Sequence, residues 1–574
     1  MSDQTSIAYG LEQVFSHRAS FVVIGLTGRT GSGCTTIAEI LGSKSVDDIE
    51  LPELPNPPKS HEDRKDRIVR EWMKGNWAPF KKIQVSHVIQ LLALYAGSTD
   101  FSKFVSTKAP EIDSQAVVKL VDPYRQAISD TEKTLLNIKN ASEEAVCAAY
   151  GFIFEKLPEL AIGIKTLLNE GDKKHFTHIF QALGDNVRKS GMPLSDAIDS
   201  SKLLALPETI SRIIKLARYR NKIIGENNNY FVIDALRHPF EIRYLRERIS
   251  PFYAVAVTTD DFDRKIRLLQ NNYNQSEVTR LDEKEYPSEI KDPKKRPSGY
   301  SAFVSQNIQE CIAIADIYIS NLGKPESKDT RVTSNQICRY VALMQHPGIV
   351  TPTSIERCMH VAFSSRVNSG CISRQVGAVV TDSNFSIKSV GWNDVPKGQV
   401  PCLLRNTYFA ITKSTDGDAY SKYEKGEEFL KELKKSKLGK LRKSYIDGRN
   451  VTYCFKGIYN SIKGDRNQVH TRALHAEENA FLQLVKYGGQ GIEGGCLFTT
   501  ASPCELCAKK AYQLGIKSIF YIDPYPGISN DHILSGGLNS PEVVLFSGAI
   551  GRAYHNIYEP IMGYKDELDR IFPD

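Results

Sequence analysis

Four side chains in the C-terminal half of the chain have the types and the spacing of a hydrolytic metal centre. His475 and Glu477 are separated by one residue, and Cys504 and Cys507 follow in the segment Pro-Cys-Glu-Leu-Cys. One imidazole and two thiolates can bind zinc and leave its fourth position open, as a catalytic zinc requires. Zinc makes hydroxide available at neutral pH, and hydroxide can replace the C4 amino group of a cytosine ring. Together these residues predict a zinc-dependent deaminase.

Glu477 is the predicted proton carrier. It lies two residues from the predicted ligand His475, so its carboxylate can reach a water at the open zinc position without binding the metal. There it would take the water proton, pass it to ring N3 and later protonate the departing ammonia. The alternative is a closed structural zinc site, which needs a fourth ligand. His470 and Cys496 are candidates for that ligand, but neither has paired spacing.

The metal ligands need helices and a sheet to hold them in place. A C-x-x-C pair at the start of a helix brings both sulfurs to one side, and the helix dipole favours thiolate. Upstream, helical stretches are predicted at 336–346 and 354–366, and apolar strands at Val376–Val380 and Ile387–Val390. Residues 330–574 are therefore predicted to form an α/β domain with a mixed sheet between helices.

Residues 336–530 resemble the deoxycytidylate deaminase branch of the cytidine deaminase superfamily. Beyond the metal motifs, the matching segments are Ser369–Cys371, Arg374–Val380, Gly391–Pro396 and the late strand Ser-Ile-Phe-Tyr-Ile-Asp-Pro-Tyr-Pro. The resemblance implies a cytidine deaminase-like α/β/α domain. It also implies a deoxycytidine nucleotide as substrate and assembly into a homo-oligomer.

The same resemblance implies four substrate-binding residues. Asn393 would contact the ribose, Arg374 and Ser369 would lie on the phosphate side, and Tyr525 is a further candidate. Each has a plainer alternative that the sequence leaves open. Asn393 could only fix a turn and Arg374 could only form a surface ion pair. Ser369 could only cap a turn, and Tyr525 could only pack.

A long insertion, residues 403–469, separates the sugar-contact segment from the metal motifs. Its lysine-rich stretch, Ser421–Lys443, is typical of the solvated face of a helix. Aromatic residues are interleaved with the lysines, so a contact with nucleic acid or with a triphosphate is the second interpretation.

The first half of the chain contains a glycine-rich turn between the apolar strand Phe21–Leu26 and a helix predicted from Thr35. Backbone N–H groups in such a turn converge on phosphate oxygens at the positive end of the helix. Cys34 stands where a P-loop has its lysine, so nucleotide binding is expected but efficient phosphoryl transfer is not. The predicted nucleotide-binding residues are Gly28, Gly31, Ser32, Gly33, Thr35 and Asp234.

Asp234 ends a second apolar strand, Tyr230–Asp234, and resembles the magnesium-side acid of P-loop folds. Mg²⁺ carried by a nucleoside triphosphate would contact this carboxylate and the Thr35 hydroxyl. The segment Asp-Ala-Leu-Arg that ends at Arg237 also resembles the Asp-x-x-Arg segment of small-molecule kinases. The plainer alternatives are a merely tight connection in the turn and a simple ion pair at Arg237.

Strands and helices alternate around this turn, with an amphipathic stretch at Pro239–Arg248 and a third apolar strand at Tyr253–Val257. This pattern predicts a doubly wound parallel sheet. The insert at 40–225 is predicted to be mostly helical, and the polar segment 324–335 is the predicted junction. The predicted domains are a P-loop kinase-like domain at 1–325 and the deaminase domain at 330–574.

Length and composition agree with a two-domain globular protein. The chain has 574 residues, 41% hydrophobic and 25% charged, and no apolar run approaches the roughly 18 residues of a membrane helix. The first residues lack the features of a secretory signal, so a cytoplasmic location and no membrane partner are expected. A net charge of +7 over this length says little about partners.

A P-loop kinase-like domain fused to a deoxycytidylate deaminase domain is similar to the bacterial antiviral cytidine deaminases. That similarity implies hydrolytic deamination of dCTP or dCMP, which depletes the nucleotide pool for viral DNA synthesis. Two alternatives stay open. The substrate could be a base in single-stranded nucleic acid, or the P-loop half could be a nucleotide-binding switch that regulates the deaminase half.

Overall fold

A computed structural model describes residue 10 and residues 18–571, apart from positions 170–174, 272, 287–298, 322, 324–328, 413–415, 465–468, 489–490 and 524–527. The chain divides into two units. Unit 1 comprises Met1–Thr351 and Arg552–Asp574, and unit 2 comprises Pro352–Gly551.

The division falls at residue 352, later in the chain than the predicted boundary at 325–330. The helix Arg331–Gln345 accounts for the difference, because it packs against the helix His61–Asn76 of unit 1. The Trp72 indole N–H donates to the Gln345 side-chain oxygen at 3.0 Å, and Arg339 pairs with Glu62 at 2.8 Å. The helix that follows the predicted junction therefore belongs to unit 1.

Five strands of unit 1 form a parallel sheet: β1 (Phe21–Thr27), β2 (Lys81–Gln84), β3 (Asn229–Asp234), β4 (Phe252–Thr258) and β5 (Ile317–Ser320). They pair in the order β5-β4-β1-β3-β2. Both faces are buried along β1, β3 and β4, which is why these segments are apolar without alternation.

The sequence of unit 1 up to Thr351 contains sixteen described helices. They are α1 (Cys34–Leu41), α2 (His61–Asn76), α3 (Val85–Leu94), α4 (Ser98–Lys108), α5 (Ser114–Val121), α6 (Arg125–Leu136), α7 (Glu143–Gly151), α8 (Leu157–Leu168), α9 (His175–Ser190), α10 (Ala205–Ile223), α11 (Pro239–Arg248), α12 (Asp261–Gln270), α13 (Gln275–Glu285), α14 (Gly299–Val304), α15 (Ile308–Ala313) and α16 (Arg331–Gln345). The helical insert packs on one face of the sheet. Its core is continuous with the alternate strand residues Val23, Phe231 and Ala254.

Two strands of this sheet, β2 and β5, were not predicted from the sequence. β2 has four residues, of which only Ile83 is buried, so its hydrophobic signal is weak. β5 also has only four residues, although all of them are buried. Short segments of this kind carry too few positions for periodicity to distinguish a strand from a loop.

Unit 2 contains a mixed sheet, as predicted. The strands of unit 2 are β6 (Gly377–Thr381), β7 (Ile387–Trp392), the separate two-residue pair β8 (Tyr445–Ile446) and β9 (Arg449–Asn450), then β10 (Cys496–Ala501), β11 (Ser518–Asp523), β12 (Glu542–Leu545) and β13 (Gly548–Ala549). The main sheet has the order β12-β11-β10-β6-β7. β10, β11 and β12 are parallel, whereas β6 is antiparallel to both its neighbours.

The helices of unit 2 are α17 (Ser354–Ser365), α18 (Thr407–Thr412), α19 (Glu427–Lys435), α20 (Phe455–Lys463), α21 (Ala476–Tyr487) and α22 (Glu505–Gln513). The chain then continues through α23 (Gly551–Tyr558) and α24 (Tyr564–Ile571). Across the described residues, every helix falls short of the length and apolar character that a membrane crossing needs.

The insertion at 403–469 has a small core of its own, in which Phe429 and Leu433 of α19 pack with Tyr420 and Tyr453. The lysine-rich stretch is therefore partly an amphipathic helix whose apolar side faces this core. Tyr423 and Tyr445 remain exposed. Tyr423 nevertheless contacts the rings of Phe429 and Tyr459, with 6.0 and 5.5 Å between centroids. The interleaved aromatic residues thus largely serve packing, while nucleic-acid contact stays a prediction.

Helix α21 lies unusually close to strand β7. A Cβ atom added at Gly391 would sit 2.3 Å from the Ala476 carbonyl oxygen and 2.5 Å from the Ala480 nitrogen. Both are backbone atoms of α21, so they cannot rotate away as a side chain could. Glycine at 391 and alanines at 476 and 480 therefore fix the depth at which α21 sits.

Gly391→Ala is expected to displace α21 and to destabilise unit 2 by about 1–3 kcal/mol, the usual cost of overpacking. Chemical denaturation measures this cost. Gly491→Ala is the matched control, because a Cβ there meets nothing within 4 Å. Equal stability of the two variants would contradict the close-packing argument.

Candidate metal centre and glycine loop

Two helix N-termini bring the predicted zinc ligands together. His475 directly precedes α21, Cys504 directly precedes α22, and Cys507 lies in the first turn of α22. The His475 Nδ1 atom lies 3.3 Å from the Cys504 Sγ and 3.5 Å from the Cys507 Sγ. All three ligand atoms lie within 4.8 Å of one another. Two motifs that are distant in sequence thus form one cluster.

The donor set fits a zinc ion. Nitrogen and sulfur ligands at tetrahedral zinc lie roughly 3.5–3.8 Å apart, given bond lengths of about 2.0–2.3 Å. The two N–S separations are close to that value. Among the described residues no further His, Cys or carboxylate joins the cluster. His470, considered above as a fourth ligand, packs against the Tyr459 ring with 4.6 Å between centroids.

The surroundings favour a thiolate at Cys504. A hydrogen bond from the Cys507 thiol, together with the neighbouring His475, lowers the pKa of Cys504 to about 4, although burial opposes the shift. The same hydrogen bond, now with burial, raises the pKa of Cys507. Both sulfurs also lie at the positive end of α22. The pair is therefore prepared to bind a cation.

Glu477 lies in the first turn of α21 and is only 4% exposed. Burial raises the pKa of its carboxyl to about 7. The Thr499 hydroxyl donates to the Ala501 carbonyl at 2.8 Å and lies 3.4 Å from Glu477 Oε1. A buried carboxyl of this kind can hold and release a proton beside the metal ligands.

The predicted ribose and phosphate residues lie in two adjacent loops at one end of the β6–β7 pair: Ser369 and Arg374 precede β6, and Asn393 follows β7. Asn393 Oδ1 accepts the Val376 N–H at 2.7 Å, and its amide nitrogen donates to the Arg374 carbonyl. Ser369 Oγ donates to the Asn393 carbonyl at 2.7 Å and accepts the Cys371 N–H at 3.2 Å. The Asn393 amide and the Ser369 hydroxyl thus hold the two loops together. Substrate contact by these side chains stays a prediction.

The half-buried Arg374 side chain forms an ion pair with Asp523, at the end of β11. The Asp523 carbonyl accepts the Ser502 N–H at 2.9 Å, next to the Pro-Cys-x-x-Cys segment. Arg374 is therefore held near the metal motif rather than on a remote surface. Tyr525 lies outside the described residues.

In unit 1 the glycine-rich turn joins β1 to α1. Gly31 and Gly33 have φ values of +89° and +108°, a region that favours glycine. Asn321 donates to the Ser32 carbonyl at 2.8 Å and closes over Gly33. The Thr35 hydroxyl donates to the Asp234 carboxylate at 3.1 Å. The structure thus brings together the two residues predicted to hold Mg²⁺.

Cys34 supplies no positive charge to this turn, because burial and then the nearby Asp234 raise the pKa of its thiol to about 12. A lysine reaches the same carboxylate from another strand. Lys82 Nζ, on β2, lies 3.6 Å from Asp234 Oδ2. Sequence reasoning missed Lys82, since β2 itself was not predicted.

Glu285 lies against the same turn. Its carboxylate oxygens each accept the Thr30 N–H at 3.1 Å, and Oε1 pairs with Arg237 at 2.7 Å. The acidic partner considered for Arg237 is therefore present. An anion already lies against one backbone N–H of the glycine-rich turn.

Thr499 is the clearest residue of the metal centre that sequence reasoning missed. It is fully buried on β10, two residues before the end of the strand. Two adjacent hydroxyl residues, Thr499 and Thr500, in a buried strand just before the Pro-Cys-x-x-Cys segment were the signal that could have found it.

Residues 352–523 match the family model for the cytidine and deoxycytidylate deaminase zinc-binding region. Unit 2 therefore contains a domain of the cytidine and deoxycytidylate deaminase family, which are hydrolases acting on cyclic amidines. The predicted deaminase class of this half of the chain is confirmed at that level.

Particular relatives come from phages. The deoxycytidylate deaminase of Enterobacteria phage T2 is 29% identical over 174 residues, which cover 29% of this chain and 78% of the relative. The deoxycytidylate deaminase of Enterobacteria phage T4 is 29% identical over 176 residues, which cover 29% of this chain and 76% of the relative. A solved structure, the dCMP deaminase of cyanophage S-TIM5 with dCMP and dUMP, is 23% identical and covers 33% of this chain and 95% of its own, with a TM-score of 0.20.

Cys504→Ser is expected to abolish stoichiometric zinc binding, because it removes one of only three protein ligands and a serine hydroxyl is a poor zinc ligand. Glu477→Gln is the matched control and is expected to retain zinc, since Glu477 lies outside the ligand set. Elemental analysis of the purified proteins measures both. Full zinc occupancy in the serine variant would contradict the assigned ligand set.

Proposed function

We propose that unit 2 hydrolyses the amino group of a deoxycytidine nucleotide to give the deoxyuridine nucleotide and ammonia. The observation that carries this proposal is the three-ligand cluster with the buried Glu477 carboxyl beside it. A closed structural zinc site would have four protein ligands and no need of a buried acid. The phage relatives, which are deoxycytidylate deaminases, support the substrate class.

His475, Cys504 and Cys507 would hold the zinc ion. When bound, zinc supplies a Lewis acid that makes hydroxide available near neutral pH. Glu477 takes a proton from the attacking water and delivers it to ring N3 as the C4–O bond forms. It then takes the proton of the new C4 hydroxyl and gives it to the amino group, so that the C4–N bond breaks, the C4=O bond forms and ammonia leaves. The Thr499 hydroxyl lies against Oε1 of this carboxyl at 3.4 Å.

The nucleotide sugar and phosphate are proposed to lie over the two adjacent loops that carry Ser369, Arg374 and Asn393. Arg374 is the cation of this loop beside the metal motif, and its ion pair with Asp523 is a contact that a phosphate could replace. Tyr525 remains a proposed contact. Both dCMP and dCTP are proposed substrates, and depletion of the dCTP pool would serve antiviral defence.

Deamination of a panel of dCMP, dCDP, dCTP, cytidine and a cytosine-containing oligonucleotide tests the substrate class. We expect ammonia release from deoxycytidine nucleotides. Glu477→Gln is expected to lose roughly 10²–10⁴-fold in rate, the contribution of a positioned acid–base group. Turnover of the oligonucleotide alone would show that the mononucleotide proposal is wrong, and a fully active glutamine variant would refute the role of Glu477.

We also propose that unit 1 binds a nucleoside triphosphate with Mg²⁺ at the glycine-rich turn and thereby regulates unit 2. The positive-φ glycines, the Thr35–Asp234 contact and the parallel strand order support this proposal. Lys82 is proposed to supply the charge that Cys34 lacks. The hydrogen bond from the Thr30 N–H to Glu285 would have to break when the terminal phosphate binds, because the phosphate would need the same N–H.

Thr35→Val is expected to weaken Mg²⁺-triphosphate binding to unit 1 by about tenfold or more, because it removes the hydroxyl while keeping the shape. Thr35→Ser keeps the hydroxyl and is the matched control. Equilibrium dialysis with ATP measures binding, and the response of deaminase rate to ATP measures regulation. Equal ATP affinity in the valine variant and the parent would contradict the proposed site.

A further inference from the structure

A second region of unit 1 is rich in positive charge. A cavity of about 550 Å³ is lined by Arg18, Lys215, Arg218, Arg248 and Arg552, and none of its lining residues is acidic. Lys215 and Arg218 come from α10, Arg248 ends α11, and Arg552 lies on α23. Four separate parts of the chain thus direct cations to one place.

These cations differ from their neighbours in having no carboxylate at ion-pair distance, although the Asp316 carboxylate acts on Arg552 at longer range. On the same helix α10, Arg220 pairs with Glu226 at 3.1 Å, and at the end of α11 Arg246 pairs with Asp316 at 3.0 Å. Within the described chain, by contrast, none of the five cavity cations forms an ion pair with a carboxylate. Like charges gathered in this way repel one another unless an anion lies between them.

Neutral groups hold two of the cations in position. The Arg18 guanidinium donates to the Asn556 carbonyl and hydrogen-bonds the buried Tyr253 hydroxyl. The Arg218 guanidinium stacks over the Phe21 ring, 4.0 Å from its centroid. Both contacts fix the orientation of a guanidinium without neutralising its charge. The cavity is therefore preorganised for an anion.

The cavity lies far from the glycine-rich turn. Arg18 and Phe21 lie at the amino-terminal end of β1, and Tyr253 lies at the amino-terminal end of β4. The glycine-rich turn follows the carboxyl end of β1. A seven-residue strand spans roughly 20 Å, so the two places lie at opposite edges of the sheet.

We propose that this cavity is a second anion site, which binds the phosphates of a nucleoside triphosphate. A guanidinium group can bind two phosphate oxygens at once through two parallel N–H···O bonds. Several cations around one point therefore suit the closely spaced negative charges of a triphosphate. The volume lies within the range of small-ligand pockets, roughly 300–1,000 Å³. A cavity of this size, with its cations gathered around one place, suits a free nucleotide better than the extended track that a single strand of nucleic acid needs.

Calorimetric titration with inorganic tripolyphosphate, without Mg²⁺ and in the Thr35→Val background, tests the site. The charge reversals Arg218→Glu and Arg552→Glu are combined in one variant; both residues are exposed, so the fold is expected to be retained. Lys139→Glu with Lys222→Glu is the control, because these exposed lysines lie outside the cavity and give the same change in net charge.

We expect the cavity variant to lose at least tenfold in tripolyphosphate affinity and the control to stay within about threefold. Arg248→Gln, a milder change in the same cavity, is expected to lose severalfold. Equal losses in the cavity variant and the control would overturn the proposal. So would a single-stranded oligonucleotide that competes with tripolyphosphate more strongly than dTTP does.

Discussion

The chemistry of this protein depends on the convergence of two helix N-termini on one point. His475 and Cys504 each occupy the position directly before a helix, so their ligand atoms are placed by backbone rather than by flexible side chains alone. The depth of α21 is set by backbone contact with Gly391 on β7, and α22 starts where β10 ends. Strands β7 and β10 of the mixed sheet therefore fix the position of the candidate metal centre.

Two buried carboxyls in unit 2 show how burial can serve opposite purposes. Glu424, in the insertion, is buried against Arg405 and accepts the Tyr453 hydroxyl at 2.9 Å. Although burial opposes the shift, the Arg405 charge lowers the pKa of Glu424, so that group is a permanent anion that holds the insertion together. Burial raises the pKa of Glu477 to about 7, although a backbone N–H, the neighbouring His475 and a hydrogen bond with Cys507 oppose the shift. Such a carboxyl is suited to moving protons rather than to holding structure.

In unit 1 the polar and charged side chains discussed above lie at the two ends of the parallel strands, whereas the central strands are apolar on both faces. At the carboxyl edge, the glycine-rich turn brings Thr35 to Asp234 and Lys82. At the amino edge, five cations surround a cavity. Parallel strands end together, so residues from several strands and helices meet at each edge even when the chain between them is long.

The sequence by itself predicted the ligand set and the proton carrier, because short spacing motifs specify local geometry: a residue before a helix and one in its first turn must lie at the same end. It also determined β1, β3 and β4, since burial on both faces demands continuous apolar runs. Only the tertiary structure decided that Thr499 faces Glu477, that Arg374 pairs with Asp523 and that Lys82 reaches Asp234. It alone moved the division between the units beyond α16. These contacts join residues far apart in the chain, and hydrophobic periodicity carries no information about which strands become neighbours.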